Sequence, residues 1–540
     1  MQTGFESSLP PPKRRPSRRM NAIVPMLGAV GVLLGPIHQD RQFTAAGGWD
    51  QRPVSELGAG QTQALSLDLS LATNVAVRGE SIPCILKLTN RGKSPLNLLD
   101  DSRENRAFSV RVTGTGGFQV AGDMASVRVR EGEHIEAPRS PQRRMLAPAD
   151  ELQVKGDIIA WVGELPPGSY TVTGQYSGSP AMRASSKPSE FRVAEASIAF
   201  ACLTGSLLTA AEPSETAWIN RGQAGYDLFL LRSSPYAPAV AYSNRRIARL
   251  AEPSPARVSA YNVSGQPTHH MVWVAPVGNL QVARLSGNAQ PEPPRSISLP
   301  AEKMALIDPP YTSEKGTLYV ILVTSDGEAS LLELTDGGKP VFRPLAILNP
   351  NTPRRALWDR QDGLVFAFAG TDRMSFSAVI RKAGAAADAS RRRYDTPFPI
   401  LDISMGLRYR ESDSGYDRVA VILCGDIYRG EYLRRQVNLD SGKTEGELRF
   451  SSPIGPASTF LEAVLTRDLT PRYLFSAPDG TVHFLNPDLP RNVALVARDG
   501  KTVRQAEFPT LMVASEFSRQ PGIFLRYVED GKKFSYIKVE

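Results

Sequence analysis

The chain has 540 residues, of which 41% are apolar and 22% charged, and its formal net charge is +8. The composition excludes wholesale disorder, and the length excludes one ordinary core, since domains run to about 100–200 residues. The charge does not mark a nucleic-acid binder: half of it sits in the first nineteen residues, and the rest shows no stripe of Lys and Arg interleaved with aromatics.

In chain order, the first feature is "KRRPSRRMNAIVPMLGAVGVLLGPIHQD", Lys13 to Asp40, a basic run ahead of an apolar one. The apolar stretch Ala22 to Leu34 is broken by Pro25, Gly28 and Gly31, whereas a spanning helix needs about 20 predominantly apolar residues. A basic segment followed by a short apolar one is the pattern of a secretory signal. Ser17, Arg18 and Arg19 resemble the start of a twin-arginine signal, although the usual Phe-Leu pair is absent, so the export route stays open. Residues 1–45 are therefore expected to be a signal or an anchor and 46–64 a linker. The expected location is secreted or periplasmic, with a membrane anchor through Ala22 to Leu34 as the alternative.

From residue 65 to 195, segments such as "QALSLDLSLATNVAVRGESIPCILKLTNRGKSPLNL", "AFSVRVTGTGGFQV" and "KGDIIAWVGELPPGSYTVTGQY" alternate apolar and polar residues between Gly and Pro turns. Each such strand hides one face only, so a second sheet must cover it, and an antiparallel sandwich is expected. "VRGESIPCILKLTNRGKSPLNL" and "ELPPGSYTVTGQY" resemble the opening and closing strands of bacterial immunoglobulin-like accessory domains. That resemblance implies a domain that spaces, positions or binds, and it carries no chemistry.

From 196 to 540 the pattern changes. Apolar hairpins recur from Asp227, Met271, Leu318, Leu364, Val419, Tyr473 and Ile523, at intervals of 44, 47, 46, 55, 54 and 50. A period near fifty with a turn at the centre of each unit reads as a seven-bladed β-propeller in which each hairpin is the middle pair of a four-stranded blade. The last unit then lacks an outer strand, and "SIAFACL", Ser197 to Leu203, is expected to fill that place and close the ring. The fold class is all-β: an immunoglobulin-like sandwich followed by a propeller of no named family.

Cys84, Cys202 and Cys424 stand far apart, so neither a zinc site nor a disulfide framework is read, and the parity of Cys84 and Cys202 makes them small core residues. Arg391, Arg392 and Arg393 read as a solvated loop, His134 as solvated surface and His483 as a packing residue. No GxSxG, HExxH, phosphate loop or EF-hand series is present. No cofactor and no metal is expected. Ligand-binding candidates are His269 and His270, which precede the strand "MVWVA", and Trp358, Asp359 and Asp362 in "WDRQDG", an aromatic, a base and two carboxylates in one loop. The two histidines, being adjacent on a strand, point to opposite faces and cannot readily share a metal. The functional expectation is an exported, non-catalytic binding or scaffolding protein that meets a protein or glycan through a propeller face. The alternative is a propeller-type hydrolase or lyase acting on carbohydrate or ester.

Overall fold

The computed structural model describes residues 64–99, 107–123, 143–179, 182–204, 214–223, 225–234, 237–261, 268–275, 278–286, 292–301, 304–359, 363–382, 390–410, 415–426, 428–451, 458–466, 468–488, 493–498, 500–514 and 522–540. The leader, His134 and Asp362 lie outside them. The chain is all-β: strands dominate every part of the described chain, interrupted by one short α-helix and one 3-10 turn. No helix among the described residues is long and apolar enough to cross a membrane.

Residues 65–194 form two main sheets packed over one core and a separate two-stranded ladder of Leu96–Leu99 with Arg143–Leu146. One sheet has the order Leu65–Leu71, Pro83–Asn90, Glu151–Asp157. The other joins Val75–Val77, Ser189–Ala194, Gly168–Ser179, Phe108–Gly114 and Gln119–Asp123, with Met182–Ser185 on its side. Alternation does what it must: Leu65, Leu67, Leu86 and Leu88 of one sheet meet Val110, Val112, Val172 and Phe191 of the other, while the intervening polar residues face out.

Two details depart from simple alternation. Val75–Val77 leaves its neighbour's sheet and pairs in parallel with Ser189–Ala194. The segment after "KGD" is also not a strand, because Ile158–Val162 forms a helical turn. Asp157 caps it, accepting from the N–H groups of Ile159 at 3.0 Å and Ala160 at 3.4 Å. The turn drives Trp161 into the core against Gly156, where an added Cβ would lie 2.3 Å from the indole.

Beyond residue 195, seven antiparallel meander sheets follow one another among the described residues. The first is Ile198–Thr204, Ser214–Gly222, Gly225–Ser234 and Ala237–Leu250. The second is Ala256–Val258, Thr268–Val274, Asn279–Ser286 and Arg295–Ser298. The third is Met304–Thr312, Leu318–Thr324, Glu328–Leu334 and Val341–Ile347, with Ala260–Tyr261 added in parallel to its first strand. Arg354–Trp358, Gly363–Ala369, Ser375–Lys382 and Ser390–Asp395 make the fourth. Ile400–Arg410, Gly415–Asp426, Glu431–Asn438 and Thr444–Ser451 make the fifth. The sixth is Thr459–Leu465, Pro471–Ser476, Val482–Leu485 and Val493–Leu495, and the seventh, of three strands, is Glu507–Ala514, Gly522–Glu529 and Lys533–Lys538. Among the described residues no sheet closes on itself.

Each sheet packs against the next through a core of its own. In the fourth sheet's strand "GLVFAFA", Leu364, Phe366 and Phe368 meet the third sheet, whereas Val365, Ala367 and Ala369 meet the fifth. Both faces are covered, so the strand is a continuous apolar run instead of an alternating one. Complete burial of one such side chain stabilises by about 1.5–3 kcal/mol. The series returns to its start, because Val528 and half-buried Phe534 of the seventh sheet share a core with Ile198, Trp218, Phe229 and Leu231 of the first.

Two expectations about this region are corrected. The stretch at Ser197 to Leu203 is not the outer strand of the last sheet. Ile198–Thr204 pairs with Ser214–Gly222 as the first strand of the first sheet. Consequently the hairpin from Asp227 supplies that sheet's last two strands, whereas the hairpins from Met271 to Tyr473 are middle pairs. The reason is local: "ETAWINRG" is an apolar strand with polar ends, and its strand pairs without a break from Gly225 to Ser233. The seventh and first sheets are joined by side-chain packing and by the N–H of Ile198 donating to Gly531 O at 2.6 Å. This is the counterpart of the bond from Ile400 to Arg373 O, 2.8 Å, between the fourth and fifth sheets.

The second correction concerns Arg391, Arg392 and Arg393, which lie on the outer strand Ser390–Asp395 and not in a loop. Charges on an outer strand deter pairing with other chains. Cys84 and Cys424 are buried, and burial pushes their thiols up to about 12 and about 11. Cys202 is only half-buried.

Candidate functional site

In an antiparallel four-strand meander, the start of the first strand, the turn between the second and third strands, and the link to the next sheet all lie at one end. At that end a cavity of about 480 Å³ is lined by Arg257 of the second sheet, Leu306 of the third, Arg354 and Arg355 of the fourth and Leu401 of the fifth. Its wall is completed by the link Pro350, Asn351, Thr352 and Pro353 and by the turn residue Arg373.

The loop is held rigidly. Thr352 is buried, and its hydroxyl donates to Asn349 O at 2.8 Å and to Ala369 O at 3.1 Å. Arg354 donates to Pro350 O, and Nη2 of Arg373 donates to Asn351 O at 2.9 Å. Arg257 lies over the ring of Phe200, 5.5 Å from its centroid, and donates to Ala256 O at 3.1 Å. Arg355 is exposed, and among the described residues it makes no hydrogen bond or ion pair. Its charge acts on Asp402, the residue after Leu401. Burial raises the Asp402 carboxyl above its ordinary value, and Arg355 and the hydroxyl of Ser404, 2.7 Å away, pull in the opposite direction.

Arg373 stands out by its backbone, with φ 58. Gly278, Gly327, Gly430 and Gly480 take positive φ in the corresponding turns of the second, third, fifth and sixth sheets. A side chain is therefore carried at a position where the other turns use glycine.

The residues expected from the sequence are dispersed. His270 faces the other end of the second sheet, where its Nδ1 lies 3.0 Å from Thr312 Oγ1 and its N–H donates to Ser259 Oγ at 2.9 Å. His269 is on the same strand opposite Leu285. Trp358 is 1% exposed, stacks on Tyr311 with centroids 5.0 Å apart, and donates from Nε1 to Pro309 O at 3.1 Å. Its ring is thus filled on the faces a ligand would need. Asp359 accepts the N–H of Gly363 at 2.6 Å and lies 3.8 Å from Arg418. His483 is half-buried on its strand, and burial lowers its imidazole below the ordinary value. Among the described residues no three His, Cys, Asp or Glu side chains converge as a metal site requires. Arg257, Arg354, Arg355 and Arg373 are not among the residues expected from the sequence, because they come together only where the second and fourth sheets approach the third. The signal available was the doublet Arg354-Arg355 directly after the turn-forming "NPNTP".

No family model and no curated protein matches the chain. Solved structures do. The fucose-specific lectin from Aleuria aurantia is 12% identical over 58% of this chain and 96% of its own, with a TM-score of 0.36. Another structure of that lectin, titled as a six-bladed β-propeller fold, gives 12% identity, the same coverage and a TM-score of 0.35. AofleA from Arthrobotrys oligospora is 11% identical over 63% of this chain and 90% of its own, with a TM-score of 0.33.

Proposed function

We propose that the chain is an exported, non-catalytic binding protein in which an immunoglobulin-like sandwich presents a seven-bladed β-propeller. The propeller face engages a glycan or protein partner. Support for seven blades comes from the seven meander sheets at the expected period, each with a core toward the next, and from the core shared by the last and the first. A blade cannot bury both faces alone, and a ring supplies the missing neighbours. Support for the sandwich as a spacer comes from its docking. The turn at Glu80 and Ser81 bonds to the first sheet through Ser81 N–H to Asn244 O, 2.7 Å, and through Arg246 to Glu80, 3.3 Å. Support for export is the basic and apolar leader, including the anchor alternative through Ala22 to Leu34.

The observation that carries the binding reading is the composition of the cavity, whose described lining holds four arginines and neither a carboxylate nor an imidazole. Such a lining holds a ligand but offers no acid and base pair for hydrolysis. The second reading, a hydrolase or lyase, draws on the raised carboxyl of Asp402 behind Leu401. The two are separated by incubating the purified chain with glycan and protein panels while following bound and released material. Retention without turnover is expected. Turnover that disappears in Asp402→Asn would sink the non-catalytic reading, and a mature chain that keeps Met1 and stays in the cytoplasm would sink export.

A further inference from the structure

Four guanidinium groups line one cavity, and like charges gathered at a concave site favour an anion there. Here the arrangement is maintained by structure and not by chance of rotamer. Arg354 and Arg373 are tied to the carbonyls of the Pro350 to Pro353 link, Arg257 is laid on Phe200, and Arg373 is kept on a backbone conformation that other turns give to glycine. Backbone strain retained at the rim of a cavity points to work done by the side chain it carries. Arg355, exposed and without a hydrogen bond among the described residues, presents its donor fork to the cavity.

We propose that this cavity recognises an acidic saccharide, with Arg355 taking its carboxylate or sulfate and Arg257 and Arg373 flanking it. The inference rests on the reading of the chain as a binding propeller and names the ligand class for the same site. A guanidinium matches two oxygens of an oxyanion in parallel, which neither a neutral sugar nor a hydrophobic peptide can use. The volume of about 480 Å³ lies within the range of small-ligand sites and suits one or two sugar rings, not a folded protein surface. Pro350, Pro353, Leu306 and Leu401 supply the apolar patches against which ring C–H faces pack.

The test is calorimetric titration of the full chain with a galacturonate trisaccharide, its neutral galactose counterpart, a sulfated disaccharide and a tetraglutamate peptide. Binding of an acidic saccharide is expected, with the neutral counterpart weaker by roughly tenfold or more and affinity falling as salt is raised. The tighter of the two acidic arms identifies carboxylate or sulfate as the group. Arg355→Gln should lose roughly tenfold in affinity. Arg373→Gly should also weaken binding while changing the melting temperature little, because relief of the positive φ offsets the lost bond to Asn351 O. Equal binding of the neutral trisaccharide overturns the inference and leaves the binding-protein reading standing. Binding of the peptide alone, no binding of either acidic saccharide, or unchanged affinity in both variants also overturns it.

Discussion

Arginine serves two opposite purposes in this molecule. At the seam between the seventh and first sheets, Arg526 is 1% exposed and lies between Thr216 and Thr510, over the ring of Phe534 at 5.4 Å. Its Nε has no hydrogen-bond partner among the described residues, and burial lowers its basicity below the ordinary value. At the cavity, Arg355 is exposed and its donors stay solvated. The seam uses the guanidinium as a flat plate with a polar edge and bears the cost of desolvating it, whereas the cavity keeps that same charge wet and available. Position relative to solvent, not residue type, decides whether an arginine packs or recognises.

That contrast can be broken from either side. The largest effect is expected at the seam: Trp218→Ala removes a stack on Phe229, 4.4 Å between centroids, and a hydrogen bond to Asn244 at 2.9 Å. It should cost about 3–5 kcal/mol in denaturant unfolding without altering ligand affinity. Next comes Arg526. Arg526→Ala opens a void and should cost about 2–4 kcal/mol, while Arg526→Met fills it and should stay within about 1 kcal/mol of the parent. A methionine variant as damaged as the alanine one would show that the charge itself holds the seam.

A smaller effect is expected at Asp440, where burial pushes the carboxyl up but the side-chain and backbone donors of Arg418 outweigh it, leaving it below its ordinary value. A depressed carboxylate contributes stability above its unfolded value, and that contribution is lost as pH falls through the folded one. Asp440→Asn should therefore cost about 1 kcal/mol near neutrality, given the partial exposure of the pair, and the gap to the parent should close below about pH 4 in acid titrations followed by circular dichroism. The smallest change in stability is expected for Arg355→Gln, within about 0.5 kcal/mol, because among the described residues its guanidinium makes no hydrogen bond or ion pair and acts on the fold only through its charge on Asp402. A large loss there would place Arg355 with Arg526 as a packing residue.

Much of the all-β organisation could be read from the sequence, since strand period and turn chemistry are local. Six of the seven hairpins fell on the middle of a meander or on the last two strands of a three-stranded sheet. The first was displaced by one strand because its partner "ETAWINRG" carries Glu215, Asn220 and Arg221, which hide its apolar centre. Glu215 is buried, yet it is satisfied by Arg232 at 2.6 Å, a pairing visible only after the strands are aligned. "WDRQDG" mixes an aromatic with charges as a binding loop would, but Trp358 fills a core and Asp359 is bound to the N–H of Gly363. The cavity is harder to read for the opposite reason: its arginines lie as far apart as Arg257 and Arg373, and only the doublet Arg354-Arg355 after "NPNTP" marks it locally.

The seam also bears on how the chain reaches its native state. Most neighbouring sheets join segments that follow one another directly, so their cores can form as each meander folds, but Arg526 and Thr216 are 310 residues apart. Closing so large a loop costs entropy that only the completed interface returns, so this junction is expected to form last and set the folding rate. A circular permutant that joins the seventh sheet to the first and opens the chain between the fourth and fifth would transfer that slow step to a different pair of sheets.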